Sequence, residues 1–434
     1  HRLIRLQRQM CIRDSLSIIG SGYVGLSTGI GFAMKGHNVT CVDIDEKKVR
    51  EINSAMSPIY EPNFEENLKK VLQDGFFKAS SSIPDFDVAF ITVGTPSKKD
   101  GEIDLRYVKD ATKSLGKKIK KIENFCIVAV KSTVLPGTTE DVVIPILEKE
   151  SGKICGDDFG VCSNPEFLRE GSALSNFLNP DRIVIGAENE RVFTVLEKLY
   201  SDFKAPIFKC DIKTAEMIKY ASNAFLATKI SFINEICNIC KKVGIDVYTV
   251  KSGMALDRRI NPSFLNAGCG FGGSCFPKDV KALIKFGEKL GVDCRILRSV
   301  MEVNDRQKER ILELLINKVG SLRGKKVGVL GLSFKKNTDD IRESPSLTVI
   351  KKLLDLYADI GVYDPKAMEN VKKIYPDILY FENAKTLIEW SEIILVLSDW
   401  EEFATLPREM FDGKIVLEGR RVLRDDIKKE GLCW

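Results

Sequence analysis

The hydrophobic positions along the chain fall into three textures. From Leu16 to Cys210, apolar runs of strand length alternate with helical stretches. LSIIG, NVTCVDID, DVAFITV, FCIVAVKST, FGVCS and RIVIG are dense in Val, Ile, Ala and Phe, as strands buried on both faces are. Strands alternating with helices predict a parallel, doubly wound sheet. After Cys210 the pattern changes: residues 211–243 contain neither Pro nor Gly and are apolar on more than one helical face. With Asp211 as a capping residue, this stretch predicts one long helix packed on two sides, a spine between domains or a dimer surface. Beyond GKK at 324–326 a second alternation begins, with VGVLGLSF, the helical SLTVIKKLLDLYA, DIGVYDP, SEIILVLSDW and KIVLEGRR. It predicts a second, smaller α/β domain.

A chain of 434 residues has room for two to three domains, and 44% hydrophobic with 29% charged residues is an ordinary globular composition. The 66 basic residues exceed the 61 acidic ones by 5, too faint an excess for a nucleic-acid binder but compatible with anionic small molecules. No stretch approaches the roughly 18 apolar residues of a membrane span, and the start lacks the three regions of a signal peptide. The expectation is a cytoplasmic protein with no nucleic-acid and no membrane partner. Residues 1–15, HRLIRLQRQMCIRDS, show no period and are expected to be a non-native or disordered extension.

Two histidines, His1 and His37, leave almost no material for a His-based triad, a His general base or a His-ligated metal, so no metal is expected. Chemistry must rest on Cys, Lys, Asp, Glu, Asn or Thr. The 12 cysteines, scattered and without a secretion signal, suit reduced thiols better than a disulfide framework. Cys237 and Cys240 form a CxxC inside an apolar helical pattern and are expected to be buried structural thiols.

GSGYVG, between the first strand and the next helix, carries Gly20, Gly22 and Gly25. The three allow a tight turn, backbone approach to a pyrophosphate, and close helix–strand packing, with Tyr23 and Val24 lying in the same loop. Asp43 closes the second strand about twenty residues on, where a carboxylate accepts from an adenosine ribose and disfavours a 2′-phosphate. NAD is therefore the expected cofactor, and 16–210 its domain. Lys48 either lies along the ribose or faces water. The expected fold class is α/β, with two Rossmann-like doubly wound domains joined by a long central helix.

In CGFGGSCFPKDVKALIKF, Pro277 suits the first position of a helix. That puts Phe276 at the cap and Cys275 just outside, where the positive end of the dipole stabilises a thiolate. Glycines 270, 272 and 273 let backbone and ligand approach the sulfur, so Cys275 is the candidate nucleophile. Asp279 is either an N-terminal helix acid or a proton acceptor beside the thiol. Lys278 reaches the cofactor or only water. Lys219 and Asn223 are four apart on the long helix, a cation and an amide able to hold an oxyanion. Glu166 and Glu170 share a face if NPEFLREG is helical; they are capping acids, or one is a general base. Thr133, at a strand end, lies where open α/β sheets bind ligands. An NAD site with a thiol and little His points to a four-electron oxidation at one carbon: alcohol to aldehyde, thiohemiacetal, thioester and acid.

These residues carry a resemblance. GSGYVGL, VDID, VGTPS, STVLPGTT, NPEFLREG, KYASN, GFGGSCFPKD and GLSFKKNTDDIRESPS occur in the order seen in the UDP-glucose/GDP-mannose dehydrogenase family, and the chain resembles its UDP-glucose 6-dehydrogenases from about Leu16 to the end. The resemblance implies oxidation of UDP-glucose to UDP-glucuronate with two NAD per sugar, the product serving polysaccharide biosynthesis. It implies a nucleophile at Cys275, oxyanion stabilisers at Lys219 and Asn223, a partner for base and water at Asp279, a hydrolytic base at Glu166 and a water-holding Thr133. Phe167, Leu168, Phe264, Phe271 and Gly272 match substrate-pocket positions, Lys335 and Arg420 UDP-sugar contacts, and Arg259 a residue reaching a neighbouring subunit's substrate. Gly94, Thr95, Glu170, Lys278 and Arg342 match the NAD side. A homodimer through the central helix is implied, with 211–315 as the dimerisation domain holding the Cys loop and 316–434 as the UDP-sugar domain. Asn266 and Glu418 depart from relatives, which often have Lys and Asp there.

Three alternatives remain open. The same chemistry could act on GDP-mannose, UDP-N-acetylglucosamine or UDP-N-acetylmannosamine. A two-electron β-hydroxyacid dehydrogenase would also use Lys and Asn on a helix after a Rossmann domain. A non-catalytic nucleotide-sugar sensor would keep the fold alone.

Overall fold

A computed structural model describes residues 15–98 and 100–434. These form two compact units that divide at Ala221 and Ser222, inside the long helix. The proposed extension falls almost wholly outside the described residues, although Ser15 already belongs to the first strand.

The first unit is built on eight strands: β1 (Ser15–Ile19), β2 (Asn38–Val42), β3 (Phe77–Ser80), β4 (Val88–Ile91), β5 (Cys126–Val130), β6 (Phe159–Ser163), β7 (Ile183–Gly186) and β8 (Ile207–Cys210). Their order is β3-β2-β1-β4-β5-β6-β7-β8. The apolar runs have a physical cause in two core layers. Leu16, Ile18, Val88, Phe90, Ile127 and Ala129 pack on one face, and Ile19, Ala89, Ile91, Val128 and Val130 on the other. Pairing is parallel from β3 to β6, but β6 meets β7 antiparallel, so the last two strands run in reverse. Sequence pattern did not signal that reversal, nor the edge strands β3 and β8, whose alternating or half-exposed residues are not continuous apolar runs. Chain order reverses at β1, between β2 and β4. Ile19 pairs with both Val42 and Ile91, so three strand ends gather at the crevice where such sheets bind ligands.

The long helix runs Ile212–Val243, 32 residues. Asp211 begins it, taking the Thr214 amide at 2.8 Å and the Thr214 hydroxyl at 2.6 Å. Among the described residues no helix is long and apolar enough to cross a membrane.

The second unit holds six parallel strands, β9 (Lys326–Leu330), β10 (Asp359–Tyr363), β11 (Leu379–Tyr380), β12 (Ile393–Val396), β13 (Ile415–Glu418) and β14 (Glu430–Gly431), in the order β11-β10-β9-β12-β13-β14. It repeats the turn of the first sheet: Gly331 donates to the Tyr363 carbonyl at the end of β10, as Gly20 donates to Val42 at the end of β2.

One cysteine expectation is overturned. Cys237 and Cys240 are both buried, yet Cys237 is not a reduced thiol: it forms a disulfide with Cys433. The last residues return to the long helix after β14, a proximity set by tertiary structure across 196 positions.

Candidate active site

The glycine loop follows from sterics. Gly20 has φ +108°, a conformation L side chains avoid. A Cβ on Gly25 would lie 1.8 Å from the Gly20 carbonyl oxygen, whereas one on Gly22 would meet open space. The helix Tyr23–Met34 therefore starts hard against the strand, with an unobstructed approach at its N-terminus. Asp43 holds the turn by accepting the Ser21 amide at 2.9 Å and the Ser21 hydroxyl at 2.5 Å, and its other oxygen takes the Asp45 amide. Burial raises its pKa, but these hydrogen bonds and the Lys48 charge outweigh that and lower it. A carboxylate has about four acceptor sites, so one remains for a ribose hydroxyl, and the loop fits a dinucleotide. In the second sheet the matching acid, Asp364, is buried. It already takes the amides of Leu332, Ser333, Lys366 and Ala367, the Ser333 hydroxyl and the Trp400 indole. It has no room for a ribose.

Thr133 follows β5, and its carbonyl accepts the Thr95 hydroxyl, so Gly94, Thr95 and Thr133 meet at the ends of β4 and β5. Residues 164–169 are irregular rather than helical, so Glu166 and Glu170 share no helix face. Pro165 carries no N–H, and the Glu166 carboxylate turns back to accept the Leu168 amide. Its other oxygen meets the Lys219 ammonium at 2.9 Å, both side chains buried. Burial raises the Glu166 pKa, and Lys219, the Leu168 amide and Lys131 lower it further than burial raises it. Phe167 stacks under the Arg182 guanidinium at 3.9 Å.

In the second unit, Cys275 is itself the cap of the helix Phe276–Lys289 rather than lying outside it. Its carbonyl accepts the Asp279 amide at 2.8 Å, the first helical hydrogen bond, so Pro277 occupies the second position. The thiol is half-buried at the positive helix end. A Cβ on Gly272 would meet the Glu343 carbonyl at 2.4 Å, and the Gly273 amide donates to the Arg342 carbonyl. The thiol loop is thus laced to the loop after β9. Asp279 is buried and takes the Asn223 amide at 2.7 Å and the Lys278 ammonium at 2.5 Å. Lys219 and Asn223 thus each face a carboxylate, one in each unit, where the sequence alone suggested a bare oxyanion cradle.

Phe264 and Phe271 flank the Phe276 ring at 5.9 and 6.0 Å. Lys335 stands over Phe334, and Arg420 donates to the Gly270 carbonyl at 2.5 Å. Arg259 and Arg342 pair with the neighbouring Asp257 and Asp340. Glu418 accepts the amides of Val422 and Leu423, holding the turn that carries Arg420, and Asn266 accepts from Lys251.

Sequence reasoning missed several residues. Ile44, beside Asp43, is 93% exposed. Glu216 is buried on the long helix and takes the amides of Gly137 and Thr139 at 2.6 and 2.9 Å. Lys131 is buried after β5; its one signal was a lysine ending an apolar strand run.

Three consecutive segments match the UDP-glucose/GDP-mannose dehydrogenase family: its NAD binding domain over residues 14–204, its central domain over 213–306 and its UDP binding domain over 328–425. The chain is 44% identical over 429 residues to the UDP-glucose 6-dehydrogenase AglM of Haloferax volcanii, covering 96% of this chain and 99% of that one. It is 42% identical to the UDP-glucose 6-dehydrogenase YwqF of Bacillus subtilis, covering 94% and 93%. A solved UDP-glucose dehydrogenase from Pyrobaculum islandicum superposes with a TM-score of 0.93 at 42% identity, over 97% of this chain and 98% of that one.

Proposed function

The chain belongs to the UDP-glucose/GDP-mannose dehydrogenase family, and from that premise we propose that it oxidises UDP-glucose to UDP-glucuronate through a Cys275 thioester. The observation that carries the reading is the half-buried thiol capping a helix in a glycine-walled loop, in a chain with two histidines.

The loop from Gly20 to Gly25 with Asp43, Gly94 and Thr95 would hold NAD, which when bound would supply the hydride acceptor for both oxidations. The remaining steps belong to side chains. The Cys275 thiolate adds to the aldehyde carbon of the half-oxidised sugar, and Lys219 and Asn223 donate to the oxygen that gains charge. An ammonium has three donors, so Lys219 serves that oxygen while paired with Glu166. After the second oxidation a water, oriented by Thr133 and Asp279, adds to the thioester. Its proton passes to Glu166, the carbon–sulfur bond breaks, and Cys275 leaves as thiolate.

In this reading Phe167, Leu168, Phe264, Phe271 and Gly272 shape the sugar pocket, and Lys335 and Arg420 meet the UDP. Tyr23, Val24, Lys48, Glu170, Lys278 and Arg342 line the NAD side. The saturated Asp364 supports a second domain that takes a UDP-sugar rather than a dinucleotide. Phe225, Phe232, Ile239 and Val243 are exposed on the long helix at steps of seven, seven and four, a stripe that supports a homodimer in which Arg259 reaches the partner's substrate. Because NAD and UDP-sugars are cytoplasmic metabolites, the proposed setting is the cytoplasm.

The test is the NADH formed per sugar by the purified protein with UDP-glucose, UDP-N-acetylglucosamine and GDP-mannose in parallel. Two NADH on UDP-glucose alone is the expected result. One NADH per sugar would point to a two-electron dehydrogenase, and binding without NADH to a sensor.

A further inference from the structure

Lys131 follows β5 and is almost wholly buried. Its ammonium donates to the Asn164 side-chain oxygen at 2.9 Å and the Asn164 carbonyl at 3.3 Å, and stands 5.7 Å over the Phe90 ring. Asn164 is a junction: its amide donates to Val130 in β5, its side-chain nitrogen to Val184 in β7, and its side-chain oxygen also takes the Tyr200 hydroxyl at 2.6 Å. From that junction the chain leaves β6 through Pro165 to Glu166.

Anchoring Asn164 does not require a charge, and burying one is costly. The hydrogen-bond partners of Lys131 are neutral oxygens. Burial pushes its pKa down to about 8, while the Glu166 charge and the Cys162 thiol favour the ammonium and Lys219 opposes it. Lys131 is in turn one of the groups lowering the pKa of Glu166. A cavity of about 100 Å³ is lined by Lys131, Asn164, Glu166 and Tyr200, with Arg169, Asp181 and Arg182 as its other charged groups. It is polar and roomy enough for a few waters.

We propose that Lys131 is a positioning residue for thioester hydrolysis: it anchors Asn164, from which the Glu166 segment hangs, and acts on the Glu166 carboxylate as a second cation beside Lys219. This rests on the reading of Glu166 as the hydrolytic base. Removing the charge makes the Glu166 carboxyl easier to protonate, so the base is lost at higher pH.

The experiment is a single turnover of the full-length protein with NAD and UDP-glucose, reading NADH by absorbance and UDP-glucuronate after quenching, from pH 3 to 9. Lys131→Met is expected to move the acid limb of UDP-glucuronate release up by about one pH unit. Below the limb release falls about ten-fold; at high pH it converges with the parent, and the hydride steps and KM for UDP-glucose stay close to parental. Lys131→Arg is expected to return the limb. Lys131→Gln keeps a donor for Asn164 without charge and gives the same test should the Met variant not fold. Glu166→Gln is expected to abolish the limb. A limb lost in Glu166→Gln but unmoved in the Lys131 variants overturns the inference alone. A limb retained in Glu166→Gln overturns the base reading, and the inference with it.

Discussion

The Lys219 ammonium and the Glu166 carboxylate meet at 2.9 Å across 53 positions of sequence, both side chains shielded from water. Burial alone would protonate the carboxyl; the cation reverses that, and its pKa lies below the ordinary range. Removing one partner of such a pair strands the other, a loss on the order of 3–5 kcal/mol. Lys219→Met is therefore expected to be destabilised by about that much and to lose oxidation of UDP-glucose. The pH dependence carries the signature. In the parent the pair's contribution is present above the unfolded carboxyl pKa and is lost as pH falls through the lower folded value. In Lys219→Met the buried carboxyl is expected to titrate high instead, so that stability declines as pH rises. Urea unfolding between pH 3 and 8 measures both slopes; equal slopes in the two proteins would refute the pairing.

Glu216 has the opposite sign. Burial outweighs the amides of Thr139 and Gly137 and lifts it from an ordinary 4.5 to about 7. The folded state then binds more protons than the unfolded one between those values, and stability falls as pH rises through that window by an amount on the order of 3 kcal/mol. Glu216→Gln keeps an acceptor and is expected to remove this slope. A Gln variant with the parental slope would show that another group titrates there.

Replacing Cys275 by Ala removes the sulfur on which the thioester forms. The expected yield is no UDP-glucuronate and at most one NADH per sugar. Cys275→Ser is expected to stall after the first oxidation or to accumulate an ester visible by mass. Complete conversion to the acid by the Ala variant would eliminate the thioester route.

Asp43→Asn keeps the shape of the turn but weakens acceptance from Ser21 and the ribose. A KM for NAD raised about ten- to a hundred-fold is expected, from the loss of a charge-assisted hydrogen bond of about 1.5–3 kcal/mol. NADP should gain relative to NAD, since the carboxylate no longer repels a 2′-phosphate. Titration of both cofactors, with KM for UDP-glucose as control, checks the assignment; an unchanged NAD to NADP ratio would count against it.

Much of this protein could be read from its residues because the determinants are local. The packing at Gly25 is set against the Gly20 carbonyl five positions back, and Asp43 lies one helix and one strand further on. Buried strands such as Val88–Ile91 declare themselves because both faces are covered. Asp211 caps the long helix through Thr214, three residues away. Local reasoning left open whether Glu166 and Glu170 lie on a helix; the Asn164 junction and Pro165 hold that segment irregular.

By itself, the sequence determined two α/β sheets, a dinucleotide turn with its acid, and a thiol at a helix start in a chain almost without histidine. Tertiary structure decided which buried groups pair: Lys219 with Glu166, Asn223 with Asp279, Lys131 on Asn164, and Cys237 joined to Cys433. Hydrophobic period and turn chemistry act over a few residues and leave their mark in order along the chain. The pairing of buried polar groups is settled only when segments about 30 to 200 residues apart are brought together and each buried charge must find a partner or change its protonation.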